Sequence, residues 1–141
     1  APVHIDVMAQ RLREHSSYDR IGARIRQTLL RAVQHAEVEF DGEYVRTYDA
    51  RAALVRRSTS DFSRPVGLVA EEEVREAVAR FVEDAVGITR PELVSRVAGV
   101  FGWRRTGSDI RSRIEASVDG LIADAVIVDG GGGLKLGTPT K

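Results

Sequence analysis

The feature that most constrains how this chain can fold is that it contains a second, weaker copy of itself. Sliding the sequence so that Gly22 lies over Gly107 (107 − 22 = 85 residues) sets Met8 on Leu93, Leu12 on Val97 and Tyr18 on Trp103. Farther on, Ile25 meets Ile110, Leu29 meets Ile114 and Val33 meets Val118, while Arg11/Arg96, Arg20/Arg105 and Arg26/Arg111 are identical pairs. Apolar residues recurring every three or four positions lie along one stripe of a helix. The preserved spacing therefore predicts the same pair of helices twice, one supersecondary unit used in tandem.

The clearer copy runs from Trp103 to Ile114 and reads as a basic turn, Arg104-Arg105-Thr106-Gly107, opening an amphipathic helix. Ser108 is the expected cap, with Ile110, Ile114, Val118 and Leu121 turned inward. Ahead of it, Thr89-Arg90-Pro91-Glu92 has the form of a capping box for a helix that buries Leu93, Val97 and Val100. Ala70 to Val86 is a further helix, begun by three glutamates that favour the positive end of its dipole and ended by Gly87. Val74, Val78, Phe81, Val82 and Ala85 share one of its faces. Behind the basic turn and its helix, Ala125–Val128 and Leu134–Leu136 flank Asp129 and four glycines as a hairpin, and 138–141 read as frayed.

The first copy follows the same order. Helices are expected over 4–14, with Ile5, Met8, Ala9 and Leu12 inward, and over 22–35. Ser16 and Ser17 break the chain between them and Tyr18 fills the corner. Val38-Glu39-Phe40 and Glu43-Tyr44-Val45-Arg46 surround Asp41-Gly42, the signal of a tight hairpin. Helix, turn, helix and hairpin is the order of a winged helix. The fold class expected is thus mainly α with short β-hairpins, α+β, as tandem winged helix-turn-helix units. The domains expected are 1–58, a first repeat lacking its first helix, a linker at 59–69, and 70–141, a complete second repeat. The missing helix and an opening on Ala1-Pro2 without Met predict a piece of a longer polypeptide.

Composition narrows the function. With 43% hydrophobic residues each unit has enough apolar material for a modest core. No cysteine is present, so disulfides, thiolate metal sites and a thiol nucleophile are excluded, which fits a reducing cytoplasm. No apolar run reaches the length of a membrane span and no secretory signal opens the chain, so no membrane partner is expected. The 21 basic and 21 acidic residues cancel. Their distribution does not: Arg11, Arg13, Arg20, Arg24, Arg26 and Arg31 face only Glu14 and Asp19, and Arg90, Arg96, Arg104, Arg105, Arg111 and Arg113 face only Glu92 and Asp109. Each helix pair is locally basic within a neutral chain.

Two stretches also carry a family resemblance. Ala1-Pro2-Val3-His4-Ile5-Asp6 with its arginine-studded helix, and Phe101-Gly102-Trp103-Arg104-Arg105-Thr106-Gly107-Ser108 with Ile110 and Arg111, resemble the uncharacterised C-terminal domain of large bacterial superfamily I helicase-like proteins. In those proteins it follows a restriction-endonuclease-like domain. The resemblance implies an accessory nucleic-acid-binding role, with catalysis in other domains of the parent. It supplies no functional residues to transfer.

The residues themselves point the same way. Gly130 to Gly133 lack the Lys-Ser/Thr and helix that a phosphate-binding loop needs, and read as a flexible wing tip. His4, His15 and His35 have no metal-ligand spacing and are expected in surface or capping roles, so no catalytic residue, metal or cofactor is expected. Trp103 and Tyr18 are read as corner plugs rather than base-stacking platforms. The outward face of the first long helix collects Arg24, Gln27, Arg31 and Gln34, types that bond guanine and adenine edges in pairs. The matching face of the second collects Asp109, Ser112, Ala116 and Asp119, which repel phosphate. The first hairpin, with Glu37, Glu39, Asp41 and Glu43, is acidic. The expected DNA-binding set is Arg20, Arg24, Gln27, Arg31, Arg104, Arg105, Arg111 and Arg113. The rival reading is a protein-interaction module docking onto other domains of the same polypeptide.

Overall fold

In a computed structural model, residues 2–15, 22–48 and 54–138 are described. The fold is α+β, with five α-helices and small antiparallel sheets among these residues. The first region comprises β1 (Val3–His4), α1 (Ile5–Glu14), α2 (Ala23–His35), β2 (Val38–Phe40) and β3 (Tyr44–Thr47). The second comprises α3 (Glu71–Asp84), α4 (Arg90–Val100), α5 (Ser108–Ala123), β4 (Ile127–Gly130) and β5 (Gly133–Leu136).

The 85-residue slide extends to element boundaries that periodicity alone leaves loose. Helices α1 and α4 begin 85 residues apart (90 − 5), as do α2 and α5 (108 − 23). The strands follow at 89 (127 − 38 and 133 − 44), because α5 runs on past the point matching the end of α2. Strand pairing repeats as well. β1 pairs antiparallel with β3 and β3 with β2, so the strand preceding the helix pair joins the hairpin behind it. In the second region Ile88, just ahead of α4, bridges Leu134 of β5, which pairs with β4. This approach requires glycine: a Cβ at Gly133 (φ +102) would lie 2.8 Å from the Ile88 carbonyl oxygen, and one at Gly87 (φ +82) 2.3 Å from that of Gly132.

The caps match in part. His4 accepts the Asp6 amide on Nδ1 at 3.1 Å and Thr89 accepts that of Glu92 on its hydroxyl at 3.4 Å, each at the start of its copy's first helix. Ser108 does not cap α5. Gly107 holds the cap position with no side-chain bond and Ser108 is the first helical residue, as Gly22 caps α2. The four-glycine run is tighter than a floppy tip, since Gly130 and Gly133 pair and only Gly131-Gly132 turn.

The main core lies in the second region. Helix α3 packs on both α4 and α5, and Val74, Val78, Val82, Leu93, Val97, Phe101, Ile114, Val118, Ile127 and Leu134 are buried together. Two residues of the stretch expected as a linker, 59–69, are buried in this packing, while most of it stays exposed. Val69 is fully buried, Arg64 is only 4% exposed, and the Ser58 amide donates to the Val100 carbonyl at 2.8 Å. The corner residues Ser16, Ser17 and Tyr18, and the stretch 49–53, lie outside the described residues.

Candidate nucleic-acid interface

Helix α2 is exposed around most of its circumference, with Val33 its one buried residue. At 3.6 residues per turn, residues seven apart return to within about 20° of one another. Arg24 and Arg31 accordingly stand on one exposed face, with Gln27 between them. Neither arginine meets a carboxylate among the described residues, whereas Arg26 on the adjoining flank is paired with Asp6 of α1. Arg20 lies outside the described residues.

At the second copy, Arg104 and Arg105 are exposed on the loop ahead of α5, and Arg111 is exposed on its first turn. No carboxylate pairs with them among the described residues. Arg113 differs. Its guanidinium donates to the Val69 carbonyl at 2.8 Å and it lines the cleft between the two regions with Tyr44, Arg46 and Arg75. Burial raises the Tyr44 phenol above its ordinary value and the neighbouring Arg113 partly opposes this. Arg113 is thus half-buried and spends one donor on the backbone just ahead of α3, while its charge is met by no carboxylate among the described residues.

The acidic face of α5 is also less acidic than the sequence suggests. Asp119 accepts from Arg90 at 2.8 Å, and Arg90 stands 3.5 Å from Asp129 as well. Asp109 remains exposed. Arg96, which matches Arg11 in the 85-residue slide, pairs with Glu92 one turn away. Among the described residues, the exposed arginines that no carboxylate holds are Arg24 and Arg31 on α2, Arg104, Arg105 and Arg111 at the start of α5, and Arg57 far along the chain from both.

The first hairpin is used inward. Asp41 accepts the amides of Glu43 at 2.9 Å and Tyr44 at 2.7 Å, which closes the turn at Gly42. Those two backbone bonds, then Arg46, hold its carboxyl down at about 2. Arg46 reaches Glu72 of α3 at 2.8 Å, and the Tyr44 hydroxyl donates to the Gly67 carbonyl at 3.1 Å. The hairpin therefore rests on the second region.

Trp103 is buried, donates its indole N–H to the Arg64 carbonyl at 2.8 Å, and stacks on Phe101 with centroids 4.8 Å apart. Its ring is consumed by the core, which removes it as a base platform. No family model, curated protein or solved structure matches this chain. The described residues hold no group of three or more His, Asp or Glu side chains placed for a metal, and no helix among them is long and apolar enough to cross a membrane.

Sequence reasoning misses the network that joins the two regions. Glu73 is fully buried and accepts from Arg64 at 2.7 and 2.8 Å and from Arg56 at 2.7 Å. Arg56 also donates to the Pro2 carbonyl at 2.7 Å, so one carboxylate ties the first strand to α3. Burial pushes the Glu73 carboxyl up, but the arginine hydrogen bonds prevail and it lies below its ordinary value. Within Glu71-Glu72-Glu73 the signal was positional: Glu73 stands one turn before Ala77, on the buried stripe.

Proposed function

We propose that the chain is a non-catalytic DNA-binding accessory module built from two winged-helix units, working in the cytoplasm beside the helicase and nuclease domains of a larger polypeptide. The tandem reading is supported by the helix–helix–hairpin order occurring twice, and by residues just ahead of each helix pair meeting the last hairpin strand, as strand β1 in the first region and as the single Ile88–Leu134 bridge in the second. The helicase association rests on the sequence resemblance at Ala1–Asp6 and Phe101–Arg111.

The observation that carries DNA binding is the set of five exposed arginines, Arg24, Arg31, Arg104, Arg105 and Arg111, without carboxylate partners among the described residues. Ion pairing satisfies most other described arginines, so these five, clustered on α2 and at the start of α5, offer phosphate uncompensated positive charge. Gln27 adds a base-reading group between two of them. Arg113, half-buried and bonded to the Val69 carbonyl, is a weaker member of the set, and Arg20 stays in it on sequence alone.

The test is binding of the purified chain to single-stranded, duplex and forked DNA over a salt series. Duplex or forked DNA should bind with log K falling linearly against log salt, the slope counting the phosphates neutralised. Nucleotide and DNA hydrolysis should be absent. Salt-insensitive or undetectable binding would overturn the reading in favour of docking onto protein.

A further inference from the structure

The two copies differ in what covers their helix pairs. In the second, α3 lies across α4 and α5, and Leu93, Val97 and Ile114 beneath it are fully buried. The residues at the same places in the first copy are Met8, Leu12 and Leu29. None is buried, and Leu12 is 47% exposed where Val97 is 0%. These three line an open, mainly apolar groove with Val3, Val7 and Phe62.

We propose that this groove is the docking site for an acidic amphipathic helix of a partner protein, seated on α1 and α2 as α3 is seated on α4 and α5. The internal repeat identifies the shape of the occupant. A helix pair of this spacing completes its core in the second copy with a helix presenting Val74, Ala77, Val78 and Val82. Charge identifies its flanks. The rim carries Arg57; Arg11, whose guanidinium lies 4.4 Å from the Phe62 ring centroid and 3.8 Å from Glu14; and Arg56, which is already paired with Glu73. Arg57 meets no carboxylate among the described residues. A cationic rim around an apolar floor selects a helix with carboxylates beside its apolar stripe, the character of α3 with Glu71 and Glu72 exposed at its start. Leu29 lies more than a quarter turn from both Arg24 and Arg31 at about 100° per residue, so the groove and the arginine face of α2 are separate. The inference stands without the DNA reading.

The probe is a synthetic peptide of residues 70–86, titrated into the intact chain and followed by amide chemical shifts and fluorescence anisotropy. Saturable binding is expected, with shifts gathered at Val7, Met8, Leu12, Leu29 and Phe62. Leu12→Asp, at an exposed position that tolerates charge, should weaken it about tenfold or more. A peptide with Glu71, Glu72 and Glu73 changed to lysine should bind several-fold more weakly at low salt. No saturable binding, or binding indifferent to Leu12→Asp in a variant whose spectrum remains native, would overturn the proposal. So would concentration-dependent dimerisation abolished by Leu12→Asp, which would make the groove a self-interface, or duplex DNA shifting the same resonances.

Discussion

The first and second regions carry similar apolar spacing in the sequence and differ in depth of burial. In the second, three helices enclose a continuous core and the five apolar positions carried over from Leu93 to Val118 are buried or nearly so. In the first, the matching five keep only Val33 buried, with Ile25, Met8 and Leu29 half-buried and Leu12 exposed. The first region is held instead by its neighbours: β1 through Arg56 and Glu73, and the hairpin through Tyr44 and Arg46. An apolar pattern specifies which face of a helix wants burial. It does not supply the element that does the burying.

The largest break should come at the joint. Glu73→Ala leaves Arg64 buried without its carboxylate, and removing one partner of a buried pair costs about 3–5 kcal/mol. Urea denaturation should register that loss, whereas replacing Glu73 and Arg64 together by apolar residues should recover much of it. Acid should act in the same direction. The Glu73 carboxyl is lowered from 4.5, so its contribution is complete above that value and is lost as pH falls through the folded-state value.

Next comes the core comparison itself. Leu93→Ala should cost about 2–5 kcal/mol, while Leu12→Ala at the matching position should cost under about 1 kcal/mol, because little water-free contact is lost. Equal costs would mean that the groove is closed in solution. Hydrogen exchange sharpens the same contrast: α1 and α2 should exchange faster than α4 and α5.

For DNA, Arg24→Ala with Arg31→Ala is compared with Arg104→Ala with Arg111→Ala, each pair checked for folding. The α2 pair should lose more, and if Arg24 reads a base edge its share is about 1–3 kcal/mol with relaxed preference at one position. The pairing of Asp119 with Arg90 narrows the expected gap between the copies. A larger loss from the second pair would move the DNA-facing edge to the Arg104-Arg105 turn. Arg113→Ala, by contrast, should reduce stability more than DNA affinity.

The smallest effect belongs to the first hairpin. With its carboxyl held at about 2, Asp41 stabilises the turn fully above its ordinary 3.8, and this is lost as pH falls from about 4 toward 2. Asp41→Ala should cost about 1 kcal/mol at neutral pH through its backbone hydrogen bonds, measured against the acid transition of the parent.

By itself the sequence determined the order of the five helices and of the two hairpins, because helical spacing, Thr89, Asp41-Gly42 and the glycines act within a few residues, although the strand expected at Ala125–Val128 lies at Ile127–Gly130. It also determined that α2 would present Arg24, Gln27 and Arg31 together, since one helix suffices to bring them onto a common face. What lay beyond it were relations between distant residues. Nothing local marks Arg113 as bound to Val69, Asp119 as neutralised by Arg90, or Glu73 as the acceptor shared by Arg56 and Arg64. The third strand at Val3–His4 was equally hidden, two residues being too few to show an alternation before β3 supplies their partner. Charge written along a chain is a property of residues, but free charge is a property of pairs, and only the tertiary structure brings the pairs together.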